Sequence, residues 1–238
     1  MKSPSRRLRT RPLVEELEPR LLFSADFASA LADSLVHQAE QRVVGVDGEL
    51  ANTTDSLQQA QQAHHEIVFV DTNVSNYQQL IDDIKAGGNP DRQIDIVVLD
   101  ASEDGIAQIT DTLSRYKNLD AVHLISHGSD GTVDIGSSQL NFESLIQNQK
   151  AISAWGNAFS ANADFLIYGC NVAETQFGQG FVDYLSDLTR TDVAASSDAT
   201  GNLALAGNWT LEYHTGAIEA QSAVSANGQD QWTNLLAI

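Results

Sequence analysis

Five short apolar runs recur along the chain from residue 66 onward. They are Glu66-Ile-Val-Phe-Val-Asp71, Asp95-Ile-Val-Val-Leu-Asp100, Ala121-Val-His-Leu-Ile-Ser126, Asp164-Phe-Leu-Ile-Tyr168 and Asp192-Val-Ala-Ala-Ser196. Each is strand-sized and rich in β-branched or aromatic residues. Between them the apolar spacing changes to the helical period. Tyr77, Leu80, Ile81 and Ile84 fall at i, i+3, i+4 and i+7, and Gly87-Gly-Asn-Pro90 ends that stripe. Ile106, Ile109 and Leu113 give a second helix face, with Ser102 or Asp104 placed to cap it. Residues 142–159 read as one helix carrying Leu145, Ile146, Ile152, Trp155 and Phe159, and residues 177–188 as another, carrying Phe181, Leu185 and Leu188. Two hairpins are expected, one over 131–141 and one pairing Leu203–Ala206 with Trp209–Tyr213 through Gly207-Asn208.

Strands alternating with helices imply βαβ units, a mostly parallel sheet and right-handed crossovers that place helices on both faces. The fold class is therefore α/β, with small β-hairpins. The expected organisation is a basic segment over 1–26, a polar linker over 27–63, the α/β domain over 64–216 and a tail over 217–238, in which Leu235-Leu236 can pack back on the body.

Charge narrows the partners. The formal net charge is −19. Residues 1–20 hold six Lys/Arg against three Glu, a local +3 that leaves −22 on the rest. Such a body repels phosphate backbones, which argues against nucleic-acid binding. No apolar run approaches the roughly 18 residues of a membrane span. One cysteine excludes an internal disulfide. His64-His65 is an adjacent pair whose side chains diverge, and no further ligand spacing supports a metal there. No metal and no cofactor is expected.

The candidate chemistry lies at two strand ends. The third apolar run stops at His127-Gly128 and the fourth at Gly169-Cys170, the sole thiol. If these strands are parallel neighbours, both side chains emerge at the carboxyl edge of one sheet, where ligands bind in open α/β folds. Cys170 would then be a nucleophile and His127 its general base and acid, because a neighbouring imidazole stabilises the thiolate. The N–H groups of Gly128 and Cys170 would form an oxyanion hole. A buried inert thiol is the plain alternative. His123 alternates with Ile125 and reads as a sheet-face histidine rather than a catalytic one.

A hydrophobic strand ending in His-Gly, followed some forty residues on by a hydrophobic strand ending in a small residue and Cys, resembles the caspase-like (clan CD) cysteine peptidases, the group of caspases, gingipains, legumain, clostripain and separase. The stretch from Glu66 to about Glu219 is more closely similar to the DUF4347 domain. The matching pieces are Val97–Asp100, Asp104-Gly105-Ile106, Ser126-His-Gly-Ser129, Tyr168-Gly-Cys-Asn171 and Asp192–Ser196. Leu17-Glu-Pro-Arg-Leu-Leu-Phe-Ser-Ala25 resembles the LEPR-XLL motif found near the N-termini of large bacterial surface proteins. These resemblances imply a caspase-like three-layer α/β/α sandwich, export to the cell surface or beyond, and an adhesin-like parent protein. They also imply a cysteine peptidase acting on a polypeptide, either the parent chain or a neighbouring surface protein. Asp71, where gingipains place a residue specific for basic side chains, and Asp198 are the substrate-binding candidates, each able to pair with Arg or Lys of a peptide. Both also read as ordinary turn residues.

Other classes fit less well. The turn after the first strand, Asp71-Thr-Asn-Val-Ser-Asn76, lacks the glycines a dinucleotide needs, and no Gly-x-Ser-x-Gly elbow serves a serine hydrolase. The competing reading is a non-catalytic DUF4347 module for secretion, anchoring or protein interaction.

Overall fold

A computed structural model describes residues 63–238. The expected segment 1–26 and nearly all of the expected linker lie outside the described residues. The strands are β1 (His64–Asp71), β2 (Arg92–Leu99), β3 (Leu119–Ile125), β4 (Gly128–Ser129), β5 (Thr132–Ile135), β6 (Ser138–Asn141), β7 (Phe159–Tyr168), β8 (Asp192–Ala195) and β9 (Tyr213–His214). The helices are α1 (Tyr77–Ala86), α2 (Gly105–Leu113), α3 (Phe142–Gln147), α4 (Gln149–Trp155), α5 (Gln176–Thr189) and α6 (Ala226–Gln231).

The central sheet has six strands in the order β2-β1-β3-β7-β8-β9. The first five are parallel, and β9 closes the edge antiparallel to β8. Strands β4, β5 and β6 form a small separate antiparallel sheet. The molecule is thus α/β with a mostly parallel sheet and helices packed around it. Because β1 has β2 on one side and β3 on the other, the order reverses between β1 and β3, which opens a crevice at their carboxyl ends.

Both sheet faces are covered, so the strands read as near-continuous apolar runs. One face packs Ile67, Phe69, Val122, Leu124, Phe165 and Ile167 against α2, α4 and α5. The other packs Val68, Val70, Ile125, Leu166 and Tyr168 against α1 and against Trp209, Val224, Trp232 and Leu236. The expected face residues Leu80, Ile81 and Ile84 of α1 are buried, and Asp104 caps α2 by accepting the Ala107 N–H at 2.7 Å.

Two expectations need correction. The single helix expected over 142–159 is α3 and α4, which end at Trp155 and meet at Asn148, while Phe159 opens β7; the Asn148 side chain donates to Ser144 O at 3.0 Å and takes up one of the carbonyls at the end of α3. The hairpin over 203–213 does not form. Leu203–Leu205 is a turn of 3-10 helix started by Asn202, whose side chain accepts the Ala204 N–H, and Leu203 is 84% exposed. Only Tyr213-His214 adds a strand, and its partner is β8.

Residues beyond 216 are integral to the second face. Asp164 accepts the Glu219 and Ala220 N–H groups, Arg92 donates to the Gln221 and Ser222 carbonyls, and Asp83 accepts from Ser225. Trp232 and Leu236 are fully buried. Among the described residues, no helix is long and apolar enough to cross a membrane.

Candidate functional site

Strands β3 and β7 are parallel neighbours, and Ile125 stands level with Tyr168. Their two following turns therefore leave the sheet side by side. The Ser126 N–H donates to Tyr168 O at 3.1 Å, continuing the ladder one step past the strand ends. Beyond that point the backbones nearly touch. A Cβ on Gly169 would lie 3.2 Å from the Gly128 Cα, and a Cβ on Gly128 would lie 2.7 Å from Val172 Cγ2 and 3.0 Å from Cys170 O. Glycine at both positions is what permits this approach. Asn171 follows in the left-handed region, at φ 61°, a conformation that asparagine tolerates well, and it turns the chain away from the sheet.

This geometry aims two main-chain donors at one point. The Gly128 N–H and the Cys170 N–H each donate to the Leu236 carbonyl oxygen, both at 2.9 Å. They are the two groups expected from the sequence to form an anion-stabilising pair. Their shared acceptor was not expected. The segment that supplies it runs along residues 200–202: Leu236 N–H donates to Thr200 O, and Asn202 N–H donates to Asn234 O, each at 2.9 Å. Leu235 forms an antiparallel bridge with Gly201, and Ala237 a parallel one with Gly128.

The Cys170 thiol is 2% exposed. Its sulfur accepts the Thr200 N–H at 3.2 Å and donates to Thr200 O at 3.4 Å. Burial pushes its pKa up from the usual thiol value, against a smaller lowering by the Thr200 and Leu236 backbone N–H groups. The thiol is therefore protonated at neutral pH.

His127 is half-buried and precedes Gly128 in the turn after β3. Its Nε2 lies 3.3 Å from Asn73 O, in the turn that follows β1. A carbonyl only accepts, so Nε2 is the donor in this contact. Nδ1 is shielded from solvent and has no hydrogen-bond partner. The ring thus sits between the ends of β1 and β3 with one nitrogen unpartnered. His127 and Cys170 are not hydrogen-bonded to each other in this conformation; each is bonded elsewhere.

The two acidic candidates differ. Asp71 is fully buried and both its oxygens are taken: Oδ1 accepts the Asn73 N–H at 2.7 Å and Oδ2 the Gly136 N–H at 2.5 Å. Burial pushes its pKa up, against those two bonds. It ties the β5–β6 turn to the end of β1 and offers no open oxygen to a substrate side chain. Asp198 is exposed, and its carboxylate accepts from Asn208 Nδ2 at 3.0 and 3.1 Å. Its main-chain carbonyl accepts the Asn171 N–H at 2.7 Å, which steadies the turn after Cys170.

Thr200 and Leu236 escaped the sequence reading because they lie in stretches without periodicity. The available signal was Trp232 with Leu235-Leu236, an apolar cluster closing an otherwise polar stretch. His64 and His65 face Asp120 and Asp95 respectively. Among the described residues no cluster of ligands suits a metal. A depression of about 510 Å³ between α1 and α6 is lined by Asn76, Gln79, Asp82 and Asn227 among others, and by none of the strand-end residues.

A search of curated proteins finds no match to this chain. A family profile matches residues 67–236, from β1 to the Leu236 that fills the paired N–H groups. The chain belongs to the DUF4347 family, a domain of unknown function.

Proposed function

We propose that this domain is a caspase-like cysteine peptidase whose site is closed by its own chain. The observation that carries this reading is the pair of N–H donors from Gly128 and Cys170 converging on one peptide carbonyl. An acyl-transfer enzyme needs such a pair, placed where an oxyanion develops and fixed before reaction. The donor from the nucleophile's own residue puts the thiol beside the carbonyl being polarised.

The chemistry would run as follows. His127 Nδ1 takes the Cys170 proton, and the thiolate adds to the carbonyl carbon while its oxygen charge is held by the two N–H groups. The C–N bond then breaks, and the imidazolium gives its proton to the departing amine. Water, deprotonated by the same imidazole, hydrolyses the thioester and returns the thiol. For this to happen, Cys170 must leave Thr200 and meet His127.

The raised thiol pKa and the Thr200 bonds favour a second reading, a non-catalytic module for secretion, anchoring or protein interaction. Export, and a surface-protein setting in which the parent chain is the substrate, belong to the proposal and rest on the motif at 17–25.

A peptidyl chloromethyl ketone decides between the two, applied to the wild type and to Asn202→Ala, which removes the side-chain bond from Asn202 to Trp232 O that helps hold the covering segment. Labelling of Cys170 that falls on the order of 100-fold in His127→Ala supports the peptidase. Equal labelling with and without His127, or none in either background, leaves the non-catalytic module.

A further inference from the structure

We propose that residues 234–237 occupy the site as a tethered peptide ligand, and that the groove they fill takes an extended peptide with a leucine-sized aliphatic side chain at the residue whose carbonyl enters the N–H pair. The recognition elements are all present on the segment. Main-chain bonds to Thr200 and Asn202 hold it as an added antiparallel strand, the way sheets and loops capture extended peptides. The carbonyl of Leu236 sits on the two N–H groups. Its side chain is fully buried in the apolar cluster that also holds Val70, Trp209 and Trp232. Main-chain bonds supply affinity and the apolar surroundings of the fully buried Leu236 supply the main selection, with the half-buried Leu235 packed against the same cluster.

The pocket's chemistry opposes the basic-residue preference expected from Asp71 and Asp198. Asp71 spends its oxygens on Asn73 and Gly136, Asp198 is bound by Asn208, and the side chain entering the site is surrounded by apolar groups. An Arg or Lys there would lose its hydration without gaining a carboxylate. Because the resident segment is covalently attached, a free peptide competes against a high effective concentration, and the intact chain masks its own site.

This inference names the substrate class of the proposed peptidase, but the binding it describes does not need the thiol. The test uses a fluorescent peptide of the chain's own sequence 233–238, Thr-Asn-Leu-Leu-Ala-Ile, and versions with Arg or Asp in place of the second leucine. Anisotropy is read with the wild type, Asn202→Ala and Leu236→Ala, each also in a Cys170→Ala background, and folding is checked by circular dichroism. The expected result is at least tenfold tighter binding of the leucine peptide by the two loosened variants than by the wild type. The Arg and Asp peptides should bind at least tenfold more weakly. Asn202→Ala leaves Leu236 and its pocket intact, so the test survives if Leu236→Ala does not fold. Equal binding of the three peptides, or no binding by a folded loosened variant, overturns the inference. Leucine-selective binding without Cys170-dependent cleavage of any peptide overturns the peptidase reading and leaves this one standing. Cleavage with a preference for Arg does the reverse.

Discussion

Arg92 donates to both carboxylate oxygens of Glu66, at 2.6 and 2.7 Å, while His123 Nε2 lies 2.8 Å from the same carboxylate. The group is buried at the amino end of the sheet, opposite the candidate site. Burial pushes the Glu66 carboxyl up, but the bonds from Arg92 and His123 outweigh it and hold the pKa at about 2. Burial holds His123 below its ordinary value, so the ring is neutral at neutral pH and Nε2 donates to Glu66. Arg92 alone then carries the positive charge of the pair. Removing Glu66 strands that charge. Glu66→Ala is expected to cost about 3–5 kcal/mol, measured by urea unfolding. Glu66→Gln should cost less, since it keeps an acceptor.

The same pair sets an acid limit. His123 is depressed in the fold, so its contribution is present above the unfolded value of 6.5 and is lost as pH falls below it. Glu66 is depressed too, and its contribution is lost as pH falls from 4.5 toward 2. Asp71 and Asp164 are raised and act in the opposite sense, favouring the fold below 3.8. Thermal melts should therefore show Tm declining from pH 7 to pH 5, and His123→Gln should flatten that decline. A slope unchanged by the substitution would assign the acid sensitivity elsewhere.

Asp71→Asn tests whether the buried carboxylate is a tie or a specificity group. An amide offers one acceptor where two N–H groups need one each, so the Gly136 or the Asn73 donor is left unpaired. The expected loss is about 1–3 kcal/mol of stability, read by denaturant titration. Preference among peptide side chains at the site should not move. A stable variant with altered preference would return Asp71 to the role first expected of it.

Gly128→Ala probes the N–H pair while keeping the Cys170 and His127 side chains. The new Cβ would meet Val172 Cγ2 at 2.7 Å and Cys170 O at 3.0 Å, so one of the two turns must move. Stability should fall by about 1–3 kcal/mol. Thiol labelling by the peptidyl probe should fall more than labelling by iodoacetamide, which needs no oxyanion support. Equal loss with both reagents would mean the substitution acts on exposure alone.

Leu236→Ala removes a fully buried side chain from the second face of the sheet. Core truncations of this kind cost about 2–5 kcal/mol. The same substitution should raise the rate at which Cys170 reacts with iodoacetamide, because the segment covers a thiol that is only 2% exposed. Loss of stability with no gain in thiol reactivity would show that the sulfur is shielded by Thr200 instead.

The framework of the fold was legible because its signals are local. Apolar runs bounded by Asp and Gly marked β1, β2, β3, β7 and β8, and helical spacing marked α1, α2 and α5. Gly128 and Cys170 were legible as a donor pair once β3 and β7 were taken as neighbours. What sequence periodicity could not give was anything held by a single distant bond. The break at Asn148 depends on a side chain bonding back into the preceding turn. The Gly207-Asn208 pair looked like a hairpin turn, but Asn202 reaches the Trp232 carbonyl and starts a 3-10 turn instead. The occupant of the N–H pair lies far along the chain in a stretch with no period.

Loop closure over long sequence separations is entropically slow, and pairings between nearby elements form first. β3 and β7 need only the intervening hairpin and helices, whereas Leu236 must return from the far side of α5, β8 and β9 to reach Gly128. On these grounds the sheet and its two aligned N–H groups are expected to form before the covering strand docks. In that order of events a refolding molecule passes through an interval with a vacant donor pair. Any catalytic event that the docked segment forbids has its natural opening in that interval, and pulse-labelling of Cys170 during refolding would time it.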